Sequence, residues 1–183
     1  MNQYHQFIGE DRSFGDSVLY VDLVPSSCWF TNVRYCVRLE DWDKIRKIVY
    51  SRARYTCECC GINCIENKIT IEAHERWDFD YSTFTQKLVR LIGLCKDCHS
   101  TTHYGFSRMN GLEEKVKTHL MKIRNFNINE LKEHIDIAYA VWIERNQYDW
   151  KLDLSLITLN GFEVVKPVKT FDRKNISLEK IIK

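Results

Sequence analysis

Two stretches near the middle of the chain alternate apolar and polar residues. KITIEAHERW (68–77) and KLVRLIGLC (87–95) both read as half-buried strands. The second delivers Cys95 directly into CHSTTH, which suits the start of a helix. Earlier, SVLYVDLVP (17–25) reads as a short strand ended by Pro25. Helical spacing governs the rest. Asp41 is placed to cap a helix from Trp42 to about Arg54, with Trp42, Ile45, Val49 and Ala53 on its inner face. A second helix covers roughly Leu112 to Arg124, with Val116, Leu120 and Ile123 as its stripe. The pattern from Asn127 to Glu130 opens a third, running to about Arg145, which turns Leu131, Ile135, Ala138 and Trp142 inward. The expected class is α+β.

Composition narrows this little but usefully. With 183 residues, 44% of them hydrophobic, the chain can bury a sizeable core as one domain of ordinary size. No run is apolar for long enough to cross a bilayer, and MNQYHQFIGEDRSFGDS lacks a signal-peptide pattern. A reducing cytoplasmic setting is therefore expected. There, eight cysteines grouped in Cys-x-x-Cys pairs point to metal rather than to disulfides. The net charge of +2 is too small to imply a nucleic-acid partner, so the local distribution of charge has to decide.

The cysteine spacing is the most specific signal. CECCG (57–61) and CKDC (95–98) each present two sulfurs across a tight turn, and two such turns complete a tetrahedral site with Zn–S distances of about 2.3 Å. Cys57 pairs more comfortably with Cys60 than with Cys59, so the expected ligands of a structural Zn²⁺ are Cys57, Cys60, Cys95 and Cys98. Gly61 tolerates the positive φ that such a turn can require. Cys28 and Cys36 read as small buried apolar residues, and redox chemistry through CECC is disfavoured because both pairs are needed for the ion.

His99 and His103 are four apart, so on a helix their side chains share a face, about 6 Å apart at Cβ. His74, in ITIEAHERW, is expected at the end of its strand, where it can converge with them. His5, His119 and His134 read as ordinary surface or helix-face residues, and Trp77 as core.

The order Cys-x-x-Cys-Gly, a strand carrying His74, a second strand, then LCKDCHSTTH resembles the HNH endonucleases. SCWFTNVR, AHERWDFD and WKLDLSL extend the likeness to a bacterial and phage group of HNH-type proteins over roughly residues 20–157. The resemblance implies a zinc-braced ββα-metal core (55–105) with flanking helices, an N-terminal extension (1–19) and a tail (158–183). The lysine-rich tail reads as a hairpin-and-helix appendage or as partly disordered. By motif position His74 would be the general base, and His99 and His103 would hold a second divalent ion: Mg²⁺, Mn²⁺, Ni²⁺ or Zn²⁺. Two positions depart from the pattern. Ala73 stands where a ligand is usual, and the motif asparagine falls at or near Arg90, with no Asn between Asn67 and Asn110. Glu72, Glu75, Asp78 or Asp80 could supply the missing carboxylate.

Basic residues crowd ahead of the first cysteine pair. Arg46, Lys47, Arg52 and Arg54 on the expected helix, with Arg76 on the first strand, are candidate phosphate contacts. Two function classes follow. One is a metal-dependent endonuclease acting on DNA, with RNA as a second substrate class. The other is the same fold without cleavage, retained to hold nucleic acid or a protein partner.

Overall fold

The computed structural model describes residues 6–29 and 32–165. A long β-hairpin organises them. β1 (Ile71–Asp80) pairs antiparallel with β2 (Thr85–Cys95), and β3 (Lys151–Asp153) adds to the far edge of β2 in parallel. The helices are α1 (Val33–Cys36), α2 (Leu39–Arg52), α3 (Lys96–Thr102), α4 (Tyr104–Met109), α5 (Glu113–Arg124), α6 (Ile128–Arg145) and α7 (Ser155–Thr158). The class is mixed α+β. No helix among the described residues is long and apolar enough to cross a membrane.

The hairpin register slips between Arg76 and Trp77, where Arg76 faces Arg90 and Trp77 faces Leu88. Val89 is the extra residue. The slip puts Leu88 and Leu91, three apart in sequence, opposite Trp77 and Glu75 on one face. That face joins a core with Ile45 and Val49 of α2 and Ile157 of α7. Ile92, opposite His74, and Leu94 belong to a second core with Val116 and Leu120 of α5 and Leu131 of α6.

Three expectations shift. Helix α2 begins at Leu39 with Arg38 as its N-cap, so Asp41 lies in the first turn, where a carboxylate suits the helix dipole. Residues 17–25 form no strand, although Leu19 and Val21 are buried in alternation. Helices rather than a neighbouring strand bind this backbone: Arg124 donates to Leu19 O, Val21 N–H donates to His134 Nε2, and Asp22 N–H donates to Thr102 O. A period of two thus arises from packing against α5 and α6. The third concerns the N-terminal extension, since Phe7, Glu10 and Leu19 are inside the domain rather than appended to it. The capping box at Asn127 and Glu130 forms as the sequence suggests. At the other end Phe162 packs on the first core, Val164 bridges to Val37 and Val165 N–H donates to Cys36 O; residues 166–183 of the tail, and His5, fall outside the described residues.

Candidate metal centres and their cleft

The antiparallel hairpin explains how distant cysteines meet. Its open end holds the start of β1 and the end of β2, with Ile71 facing Cys95. The turn carrying Cys57 and Cys60 lies before β1, closed by Gly61 N–H donating to Cys57 O, with Gly61 at φ +73°. Cys95 caps α3, and Cys98 lies in its first turn. The four sulfurs lie within 4.8 Å of one another, and Cys60 Sγ to Cys95 Sγ is 3.7 Å. A tetrahedral ion about 2.3 Å from each sulfur sets edges of about 3.8 Å, so the group fits a structural zinc. The Cys57 thiol is pushed far down because Cys60, Cys95 and Cys98 are placed to donate to it, while Cys98 and Cys95 are pushed far up as donors. A bound cation would replace this sharing by holding all four as thiolates.

Cys59 turns away, toward the Arg76 guanidinium at 3.9 Å, and burial pushes its thiol up to about 11. That separates it from the ligand set. Cys28, Cys36 and Cys64 are buried among apolar residues. One neighbour of the cluster escaped the sequence reading. His119 Nε2, on α5, is 3.2 Å from Cys98 Sγ. No spacing rule links the two, because the contact depends on how α5 packs on α3.

His74, His99 and His103 form a second group, with one ligand nitrogen from each within 4.8 Å of the others. His74 is not at a strand end. It is the fourth residue of β1, opposite Ile92, because the antiparallel pairing sets the beginning of β1 beside α3. His103 lies just past α3, yet its N–H still bonds to His99 O at 3.0 Å, which keeps the four-residue spacing effective. His74 Nδ1 stands 3.2 Å from His103 Nε2. Burial, followed by the neighbouring imidazoles, pushes His74 well below its ordinary value; burial pushes His103 down to about 4. Both are therefore neutral at pH 7, as a base or a metal ligand must be.

Of the four candidate carboxylates, Glu72 is the one that reaches the group. Its Oε2 is 3.0 Å from His99 Nδ1, and that contact holds the Glu72 carboxyl below its usual range. His99 is left to offer Nε2. Glu75 accepts from Val33 N–H, and Asp80 accepts from Ser82 and Thr83 in the hairpin turn. Asp78 is exposed on β1. Ala73 faces Gly93 and packs against the first core. Arg90 is mid-strand and buried, donating to Phe14 O and Asp16 O.

Two of the expected phosphate contacts are corrected by burial. Arg52 is sealed inside against Glu10, and Arg76 is fully buried over the Tyr20 ring at 3.8 Å, donating to Val18 O. Neither can reach a ligand outside. Arg46 pairs with Asp43 at 2.7 Å but remains partly accessible, and Lys47 and Arg54 are exposed. The three histidines line a cleft of about 1140 Å³ between α1–α2 and α4.

No family model and no solved structure matches the chain. Over 61 residues it is 33% identical to the Zorya protein ZorE of Escherichia coli, a stretch covering 33% of this chain and 16% of that protein. The chain thus spans far less than two thirds of that relative's length.

Proposed function

We propose that the protein is a metal-dependent endonuclease of the HNH type, with β1, β2 and α3 as its ββα-metal core and a structural zinc bracing the open end of the hairpin. The observation that carries this reading is the convergence of His74, His99 and His103 at one cleft. His99 and His103 would hold the ion, and His74 Nδ1, 3.2 Å from His103 Nε2, stands beside it rather than on it. A divalent ion held there would polarise a phosphodiester and stabilise the leaving oxygen. Glu72 holds His99 in the tautomer that leaves Nε2 available. Neutral His74 takes the proton from the attacking water through Nδ1, its nitrogen on the cleft side, since Nε2 is buried without a partner.

A second reading has its own support. Ala73 offers no ligand and Arg90 is committed to internal carbonyls, which favours a fold that binds nucleic acid or a protein partner without cutting. The test is nicking of supercoiled plasmid by zinc-loaded protein with Mg²⁺, Mn²⁺ or Ni²⁺, beside His74→Ala and His103→Ala variants of equal zinc content. The nuclease reading expects nicking by the wild type and loss in both variants. No nicking with any ion replaces it by the second reading. Direct measurement of Mn²⁺ or Ni²⁺ binding to His74→Ala then separates base from ligand, because a base can be removed without losing the ion.

A further inference from the structure

The lips of the histidine cleft are apolar rather than basic. Tyr35 and Leu39, from α1 and α2, are 56% and 70% exposed. Across from them Phe106 and Met109 of α4 are 71% and 65% exposed, followed by Leu112. Exposed apolar residues scattered singly need no explanation, but five flanking one cleft mark a binding surface. Its charges are few. Arg34 and Lys96 line the cleft, are exposed, and have no ion-pair partner among the described residues. The carboxylates that line the cleft are engaged: Asp22 with Arg145, Asp43 with Arg46, Glu72 with His99, and Glu75 with the Val33 N–H. Arg34 and Lys96 are thus the cations left to meet a ligand in the cleft.

Intact duplex shows a protein its phosphates and groove edges, and is held by many cations along a stripe. Here the expected stripe is thinned: Arg52 is sealed against Glu10, Arg76 is buried over Tyr20 and Arg46 pairs with Asp43, which leaves Lys47 and Arg54 exposed on it. Unpaired nucleotides present the opposite demand. Their open base faces stack on aromatic side chains, and a small number of cations suffices to follow the backbone.

We infer that the cleft takes nucleic acid with unpaired bases, stacked against Phe106 and Tyr35 with phosphates toward Arg34 and Lys96, in preference to intact duplex. This rests on the nucleic-acid reading of the site but not on cleavage.

The test is fluorescence anisotropy at fixed salt with a labelled mixed-sequence DNA strand, the same strand as a perfect duplex, and a duplex containing an unpaired loop. Single strand and loop should bind at least about 10-fold tighter than duplex, and Phe106→Ala should weaken them by roughly 5- to 150-fold, the range for losing one base stack. Phe106→Trp should retain the affinity, which separates stacking from misfolding. Equal binding of duplex, or indifference to Phe106→Ala, overturns the inference even if plasmid is nicked. Tight single-strand binding that depends on Phe106, without cleavage of any probe, upholds it and removes the nuclease reading instead. Binding of none of the probes overturns it in favour of a protein occupant.

Discussion

Replacing Glu10 by alanine should destabilise the domain far more than its place near the chain terminus suggests. Glu10 and Arg52 have side-chain exposures of 1% and 2%. Glu10 takes two hydrogen bonds from Arg52 and one from Leu91 N–H, while Arg52 also donates to Leu91 O. The pair therefore ties the N-terminal segment, α2 and the middle of β2 together. Removing one partner of a buried ion pair costs about 3–5 kcal/mol, chiefly because the other charge stays buried alone. At about 2–4 °C per kcal/mol for a domain of this size, Glu10→Ala should lower Tm by roughly 6–20 °C. Arg52→Met, which can pack on Phe7 below it, should restore much of that loss in the double variant. The assay is urea unfolding of both single variants and the double variant, with zinc held at a fixed excess so that ion binding does not differ. A loss below about 1 kcal/mol for Glu10→Ala, or strict additivity in the double variant, would refute the reasoning. Arg52→Met should also leave the salt dependence of nucleic-acid binding unchanged, since a buried guanidinium releases no counterion from a phosphate.

Removing zinc with a strong chelator should unfold or aggregate the protein, because structural zinc contributes about 10–16 kcal/mol in small domains and the four sulfurs anchor both the first cysteine turn and α3; unchanged circular dichroism after verified zinc loss would contradict this. His119→Ala should speed zinc transfer to a competing chelator by about 10-fold or more, since a Cys98 thiolate can only accept and His119 is placed to donate. His119→Gln, which keeps an N–H donor, should recover part of it, and transfer rates equal to wild type in both variants would remove His119 from the site. The Asp80 carboxyl is pushed down to about 2 by Ser82 and Thr83. Its contribution to the hairpin turn is thus present above the unfolded value of about 3.9 and lost as pH falls through about 2. An NMR titration midpoint near 4 would show that the turn is not held this way.

The hairpin, the three long helices and the four cysteines were legible because each depends on a local period or spacing. What escaped depends on partners far away in sequence. Arg52 and Arg76 look like any basic residue beside a metal motif, and only the packing of residues 6–24 over β2 shows that Glu10 and Tyr20 claim them. The alternation of Leu19 and Val21 is real, yet period two reports which side is buried and not whether a strand lies alongside. His119 carries no signature at all, since α5 could have docked one turn further along without changing any pattern in its own sequence. Glu72 was visible as one of four carboxylates, but choosing it required the hairpin register, which sets the start of β1 against α3.

That same register explains how one nine-residue stretch contributes to two side-chain clusters. On a helix each residue advances about 100°, so Cys95 and Cys98 centre on a face roughly 90° from the one shared by His99 and His103. Two adjacent faces of one short helix can therefore serve two separate clusters only if something fixes the roll of the helix. The cysteines supply that constraint: Cys95 is both the last residue of β2 and the cap of α3, and its sulfur is 3.7 Å from Cys60. With the roll fixed, His99 falls against Glu72 and His103 against His74, both from the opening residues of β1. Loosening the sulfur cluster should thus disorder the imidazole group before any histidine is touched, whereas losing the imidazoles should leave the sulfurs in place.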